Sequence, residues 1–247
     1  MKVLAINGSP RARRSNTRRL LAPLLEGARE GGADVEELCL QEMDVRPCTG
    51  CFSCWTKTPG KCVQQDDGPE LHESMLACDV LVLGFGLYIN SVPAGVQAML
   101  ERMLPLVEPW LTESGGTTTH PTRHKGKDWR WVVVCNCGFP EQEHFAALEA
   151  RFGQFGAQPI VMAAGEFLPY MESAPELAEP LRALRAALRD AGKELARTGR
   201  IPEEMRAKLN RPVIDWAGVT AEEYRRFGNE AFRQALKALD PIAGAGP

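Results

Sequence analysis

No stretch of this 247-residue chain approaches the about 20 consecutive apolar residues that cross a bilayer. Nor does it open on the charged, apolar and small-residue zones of a secretory leader, because Met1 runs straight into a strand pattern. The expectation is a cytoplasmic protein with no membrane partner. Histidine is scarce: the four in the chain are scattered, and none forms H-E-x-x-H, so neither a metal hydrolase nor a serine or cysteine hydrolase is expected. Both familiar phosphate-binding glycine patterns, G-x-G-x-x-G and G-x-x-x-x-G-K-[ST], are absent, which argues against a standard dinucleotide site and a P-loop NTPase. A net charge of -3 gives no general reason to expect nucleic acid, and the local patch of Arg11, Arg13, Arg14, Arg18 and Arg19 reads as mostly solvated. Eight cysteines without an export signal point to thiolate or metal chemistry rather than a disulfide framework.

What is present begins with Lys2 to Ile6, an apolar run suited to a buried strand, which stops at Asn7-Gly8-Ser9-Pro10. After Arg11 to Thr17, Leu20, Leu21, Leu24, Leu25 and Ala28 recur at helical spacing, so the order is strand, polar loop, helix. The first N–H groups of a helix lack partners and carry partial positive charge, and Ser9, Ser15, Asn16 and Thr17 add short polar groups around them. A phosphate suits that loop; plain helix capping is the alternative.

Asn-Gly-Ser-Pro-Arg followed by Ser-Asn-Thr resembles the phosphate loop of the NADPH-dependent FMN reductases, which are flavodoxin-like proteins. The resemblance implies FMN, with Ser9, Arg11, Ser15, Asn16 and Thr17 around its phosphate. It also implies an α/β fold, a doubly wound five-stranded parallel sheet in the order 2-1-3-4-5. The remaining strands are read at Asp34 to Leu40, alternating and near a sheet edge, at Cys78 to Gly84, nearly continuous and therefore central, at Arg130 to Cys135 and at Ile160 to Ala163. Ligands of open α/β sheets sit beyond the carboxyl ends of the strands, which favours the loop carrying Leu87, Tyr88, Ile89 and Asn90. Leu87-Tyr88 with Val92-Pro93-Ala94 is similar to the family's second flavin loop, although Gly86 stands where that loop commonly has proline. The family's third loop falls on Asn136 and Gly138, with Cys135 and Cys137 as buried small residues or neighbours of the flavin.

Cys48, Cys51, Cys54 and Cys62 are spaced C-x2-C-x2-C-x7-C. Two-residue gaps let successive thiolates turn toward one centre, and Gly50 permits the tight backbone. Three readings stay open on the residues alone: a [4Fe-4S] cluster, tetrahedral zinc, or reduced thiols with no metal. Structural zinc more often uses two separated C-x2-C knuckles. The run resembles the compact four-cysteine motif of the iron-sulfur flavoproteins, a branch of the same family, and that resemblance implies the cluster.

Asp66 and Asp67 read as caps of a helix through Leu71 and Met75, and 112–128 as a flexible polar loop, a cover or subunit contact, whose His120 and His124 are solvated. Residues 1–165, with the cysteine loop at 47–65, form the FMN-binding domain. Residues 166–247 form a helical extension packed on it or at an oligomer interface, with apolar stripes through Leu181, Leu184 and Leu188 and through Tyr224, Phe227, Phe232 and Leu236. Asp240 to Pro247 reads as a loose tail. No side chain is expected to be catalytic in its own right. The expected activity is an FMN-dependent oxidoreductase passing electrons from NAD(P)H or ferredoxin to a small acceptor through FMN and the cluster, as a homodimer or homotetramer. One alternative is an FMN-only NAD(P)H-dependent reductase of quinones or flavins. Another is a non-catalytic flavin-binding or zinc-stabilised module.

Overall fold

Five apolar segments at about strand length, separated by helix-length stretches, have one economical solution, a parallel sheet covered on both faces. The computed structural model, which describes residues 1–127 and 129–239, has that arrangement. Strands β1 (Lys2–Asn7), β2 (Asp34–Cys39), β3 (Val80–Gly86), β6 (Arg130–Asn136) and β7 (Gln158–Met162) form one sheet in the order β2-β1-β3-β6-β7, with every neighbouring pair parallel. In fold terms this is 2-1-3-4-5. The short strands β4 (Thr112–Ser114) and β5 (Thr117–Thr119) form a separate antiparallel hairpin.

Alternation along the strands creates two cores. Val3, Ala5, Val80, Val82, Val132 and Val134 face α1 (Asn16–Glu30), α6 (Leu168–Ser173) and α7 (Ala178–Thr198). Leu4, Ile6, Leu81, Leu83, Val133 and Cys135 face α3 (Gly68–Ala77), α4 (Ala94–Glu101) and α5 (Ala146–Gly153). Helix α7 shares the first core, burying Leu184, Leu188 and Leu195, each worth about 1.5–3 kcal/mol of transfer free energy. It lies so close to α1 that a Cβ on Gly27 would stand 1.8 Å from the Arg189 carbonyl oxygen, and one on Gly192 1.9 Å from that of Leu24. These two glycines let backbone meet backbone, and the contact fixes the helix that follows the first loop.

Three more helices complete the described residues: α8 (Glu203–Leu209), α9 (Val213–Trp216) and α10 (Ala221–Leu239). Asn210, just after α8, accepts from Val161 N–H (2.9 Å) and donates to the Pro159 carbonyl (3.3 Å), so the extension occupies the open edge of β7. A capping box opens α10: Thr220 Oγ1 accepts from Glu223 N–H (3.2 Å), and Glu223 accepts from Thr220 N–H (2.8 Å). Tyr224 and Phe227 pack on Phe167 and Tyr170, whereas Phe232 and Leu236 further along are exposed. The tail from Asp240 lies outside the described residues.

Three expectations change. The stretch from Thr112 is not a plain loop, because Gly115 and Gly116, both at positive φ, turn it into the β4–β5 hairpin. His120 is not simply solvated; its ring packs against Trp55 of the cysteine loop at 4.8 Å, tilted by 49°, and meets the Trp110 carbonyl through Nδ1 at 3.0 Å. Asp66 does accept from Gly68 N–H, as a cap would, but its side chain is wholly buried against Arg102.

Candidate functional site

The loop after β1 is shaped by its own side chains. Asn7 Oδ1 accepts from Ser9 N–H at 3.1 Å, its Nδ2 donates to the Ala12 carbonyl at 3.0 Å, and Ser9 Oγ accepts from Arg11 N–H at 3.3 Å. The loop passes close under β3, where Gly8 N–H donates to the Gly84 carbonyl (2.7 Å) and a Cβ on Gly8 would overlap Val96. Ser15 then caps α1 by accepting from Arg18 N–H (3.1 Å). Asn16 and Thr17 follow in the first turn, whose N–H groups have no helical partners.

A pocket of about 170 Å³ opens over that turn. Ser9, Arg11, Asn16 and Thr17 line one side, Gly86, Leu87 and Tyr88 a second, and Asn136, Cys137 and Gly138 a third, with Glu166 completing it. These come from the loops after β1, β3, β6 and β7, all at the carboxyl edge of the sheet. Of the eleven residues expected around a flavin, eight meet here. Ser15 does not reach the pocket wall because its hydroxyl is engaged as a cap. Ile89 and Asn90 stay outside because they form the tip of a tight turn in which Tyr88 and Ser91 exchange both backbone hydrogen bonds at 3.0 Å.

The pocket's polarity is built for an anion at one end. Ser9, Asn16 and Thr17 are buried, yet Asn16 Nδ2 has no hydrogen-bond partner among the described residues. An orphaned amide donor beside a helix N-terminus costs about 1–3 kcal/mol unless something accepts from it. Across the pocket Asn136 Nδ2 donates to Thr17 Oγ1 (3.1 Å), and a Cβ on Gly165 would overlap Asn136, so that amide is locked. Arg11 reaches Glu166 at 3.5 Å, with both side chains about half exposed. Glu166 follows the fifth strand of the sheet as the other lining residues follow theirs; its place just past a carboxyl strand end was the available signal. The third loop is held from outside the first 165 residues: Tyr224 O–H donates to the Gly138 carbonyl (2.7 Å), and Arg225 pairs with Glu141 at 2.9 Å. Burial pushes the Tyr224 hydroxyl up to about 12, so it stays a donor.

Strain collects around this edge. Among the described residues five non-glycines have positive φ, and all lie in loops leaving the carboxyl ends of the sheet strands: Ala12, Phe52, Ile89, Asn90 and Ala164.

The cysteine loop follows β2. Gly50 and Phe52, both at positive φ, turn the chain into the four-residue helix α2 (Ser53–Thr56), and Gly60 N–H returns to the Cys54 carbonyl at 2.9 Å. Trp55 Nε1 donates to the Leu104 carbonyl at 2.9 Å and anchors the loop to the segment after α4. Cys48, Cys51, Cys54 and Cys62 line one small cavity with Arg102, Phe52 and Leu104. Hydrogen bonds from Ser53 N–H, the Ser53 hydroxyl and the Thr49 hydroxyl pull the Cys51 thiol below its usual range. Burial, and then the charges of Cys62, Cys48 and Cys51, push Cys54 up. Among the described residues no three His, Cys, Asp or Glu side chains are drawn tightly enough together to hold a single metal ion. Beyond the cavity, Arg102 binds Asp66 through both Nη atoms at 2.6 and 2.8 Å.

The model of the NADPH-dependent FMN reductase family matches residues 1–155. The chain belongs to that family. Iron-sulfur flavoproteins from Methanocaldococcus jannaschii and Archaeoglobus fulgidus are 36% and 34% identical to it over 106 and 105 residues. Those alignments cover 43% and 42% of this chain and 53% and 46% of those proteins, so the chain spans about half the length of the curated relatives it matches. Among solved structures, an FMN-dependent NADH-azoreductase from Bacillus anthracis in complex with FMN superposes with a TM-score of 0.56 at 16% identity, covering 79% of this chain and 99% of that one. An NAD(P)H:quinone oxidoreductase from Methanothermobacter marburgensis gives 0.54 at 18%, covering 79% and 98%. At those identities the likeness is one of fold, and the fold is flavodoxin-like.

Proposed function

We propose that this chain is an FMN-dependent oxidoreductase of the iron-sulfur flavoprotein kind, passing electrons from NAD(P)H or reduced ferredoxin to a small acceptor. The observation that carries the flavin is the buried, unpartnered Asn16 amide at the N-terminus of α1, inside a pocket walled by four strand-end loops. Ser9, Asn16 and Thr17 would hold the phosphate with the first turn of the helix, and Arg11 would exchange Glu166 for it. Leu87 and Tyr88 supply apolar and aromatic packing for a ring, and Gly86 and Gly138 let backbone approach its edge. When bound, FMN accepts a hydride and releases electrons singly, and a cluster carries them one at a time.

Cys48, Cys51, Cys54 and Cys62 would ligate a [4Fe-4S] cluster. Their all-sulfur donor set around one cavity suits it, and iron-sulfur flavoproteins are among the relatives. Zinc, with Zn–S near 2.3 Å, needs its sulfurs within about 4 Å of one another, closer than a cluster requires, and no side chains are gathered for a single ion among the described residues. The same spacing keeps a second reading in play, an FMN-only reductase with reduced thiols. The exposed Phe232 and Leu236 on α10 support a homo-oligomer. As to membranes, no helix among the described residues is long and apolar enough to cross one.

Anaerobic purification followed by an absorption spectrum and an iron assay tests the assignment. Flavin bands, four irons per chain and bleaching of the flavin by NAD(P)H or reduced ferredoxin are expected. Flavin without iron would establish the FMN-only reductase, and a chain that refuses flavin would remove both.

A further inference from the structure

The most deeply buried ion pair among the described residues lies outside the flavin pocket. Arg102 and Asp66 have side chains 1% and 0% exposed, and taking such a pair out of water costs several kcal/mol per ion before their attraction returns any of it. Three of the five guanidinium N–H groups have an acceptor: Nη1 donates to Asp66 Oδ2 and to the Arg46 carbonyl (2.9 Å), and Nη2 donates to Asp66 Oδ1. Nε is buried with no partner. The fit is tight, since a Cβ on Gly68 would stand 2.3 Å from Nη2. His72 Nε2 meets the Arg102 carbonyl at 2.6 Å, and burial pushes its ring below the usual imidazole range, so it adds no second cation.

Capping of α3 does not need this arrangement, because an exposed aspartate would serve Gly68 N–H as well. The orphaned donor has another neighbour. Arg102 lines the same cavity as Cys48, Cys51, Cys54 and Cys62. The hydrogen bonds to Asp66 do most to hold the proton on the guanidinium, against the cost of burial, and the charge of Cys62 follows, ahead of that of Asp66.

We propose that Arg102 is the built-in counter-cation of the four-cysteine centre, its unpartnered Nε–H facing thiolate sulfur and its fixed charge, trimmed by Asp66, setting the centre's reduction potential. The proposal rests on the reading that these cysteines hold an iron-sulfur cluster. Four thiolates around such a cluster are net negative, and one more electron makes them more so. A permanent cation at a buried wall stabilises the reduced state over the oxidised one, and Asp66 damps that preference. Arg102 is a positioning and tuning residue, not a ligand.

The test is a redox titration of the full-length protein, reconstituted anaerobically with iron and sulfide, with the cluster followed by electron paramagnetic resonance and FMN binding as the control for folding. Asp66→Asn leaves the cation uncompensated and is expected to raise the midpoint. The double variant Asp66→Asn/Arg102→Gln removes both charges. Relative to Asp66→Asn it is expected to lose at least tenfold in the one-electron reduction equilibrium, which is 59 mV. Arg102→Lys is expected to stay near the wild-type midpoint. If the double variant does not hold iron, Asp66→Asn alone decides, and an unmoved midpoint overturns the proposal. Iron-loaded variants that all titrate with the wild type reduce Arg102 to a structural role. A wild-type chain that retains FMN but takes up no iron overturns the cluster reading first, and the proposal with it.

Discussion

The flavin pocket and the cysteine centre stand on loops leaving the same edge of one sheet, yet they handle charge in opposite ways. The pocket is lined by short neutral side chains, helix N–H groups and one half-exposed ion pair, Arg11 with Glu166. The cysteine centre has a buried arginine, Arg102, in its wall, paired with the buried Asp66 behind it. A phosphate brings its own charge, so a pocket for it needs only oriented dipoles and a few donors. Four cysteine sulfurs ligating a cluster would carry net negative charge inside the protein, and Arg102 is the cation proposed above to balance it.

The largest test of that contrast is Asp66→Ala, which strands the buried Arg102. It should destabilise the chain by about 3–5 kcal/mol in urea unfolding, whereas Glu166→Ala, breaking an exposed pair, should cost under about 1 kcal/mol. Acid should narrow the difference. The guanidinium holds the Asp66 carboxyl well below the usual range, so its contribution is complete above the unfolded value near 3.9 and is lost as pH falls below that. If both variants lose similar stability at neutral pH, the two sites are not electrostatically distinct.

On the pocket side, Asn16→Ala removes the orphaned donor. A charge-assisted hydrogen bond to phosphate is worth about 1.5–3 kcal/mol, so the Kd for FMN, read by flavin fluorescence quenching, should rise by about 10-fold to 150-fold. Unfolding stability without FMN should hold or improve, since a buried unsatisfied group is removed. Unchanged affinity would take Asn16 out of the phosphate site.

The contrast also governs what could be read from the chain. Asn7 to Thr17 was legible because its strand, polar turn and helix start are contiguous and their chemistry is local. The four cysteines announced themselves by spacing. The Asp66–Arg102 pair did not, because its members lie 36 residues apart and each alone resembles a surface residue, Asp66 a cap and Arg102 the solvated end of a helix. Glu166 and Tyr224 were missed for a related reason. Their positions depend on where β7 ends and where α10 lands, and tertiary packing decides both. The β4–β5 hairpin escaped notice because two glycines in a polar run mark a turn without an apolar alternation to reveal the strands.

A smaller effect joins helix α10 to the loop after β6. Tyr224→Phe removes the hydrogen bond to the Gly138 carbonyl, worth about 0.5–1.5 kcal/mol, and should weaken FMN binding by no more than about tenfold while α10 keeps its packing on Tyr170 and Phe167. An effect on global stability with none on FMN would mean that α10 steadies the domain without shaping the pocket.

The smallest expected change lies at the tip of the second loop. Ile89 is fully exposed and sits at φ +50°, a region that costs a residue with a Cβ about 1–2 kcal/mol and a β-branched one at least as much. Its side chain covers nothing within the chain, so the strain has no packing return there. Asparagine tolerates that backbone, and Ile89→Asn should therefore raise stability without FMN by about 0.5–1 kcal/mol, measured as a shift in the urea midpoint at constant m. If the isoleucine is kept to lie against a bound ring, the same variant should bind FMN several-fold more weakly, and the two measurements would move in opposite directions. Higher stability with unchanged FMN affinity would mean that the strain at Ile89 serves the turn alone, and would leave Leu87 and Tyr88 as that loop's whole contribution to the pocket.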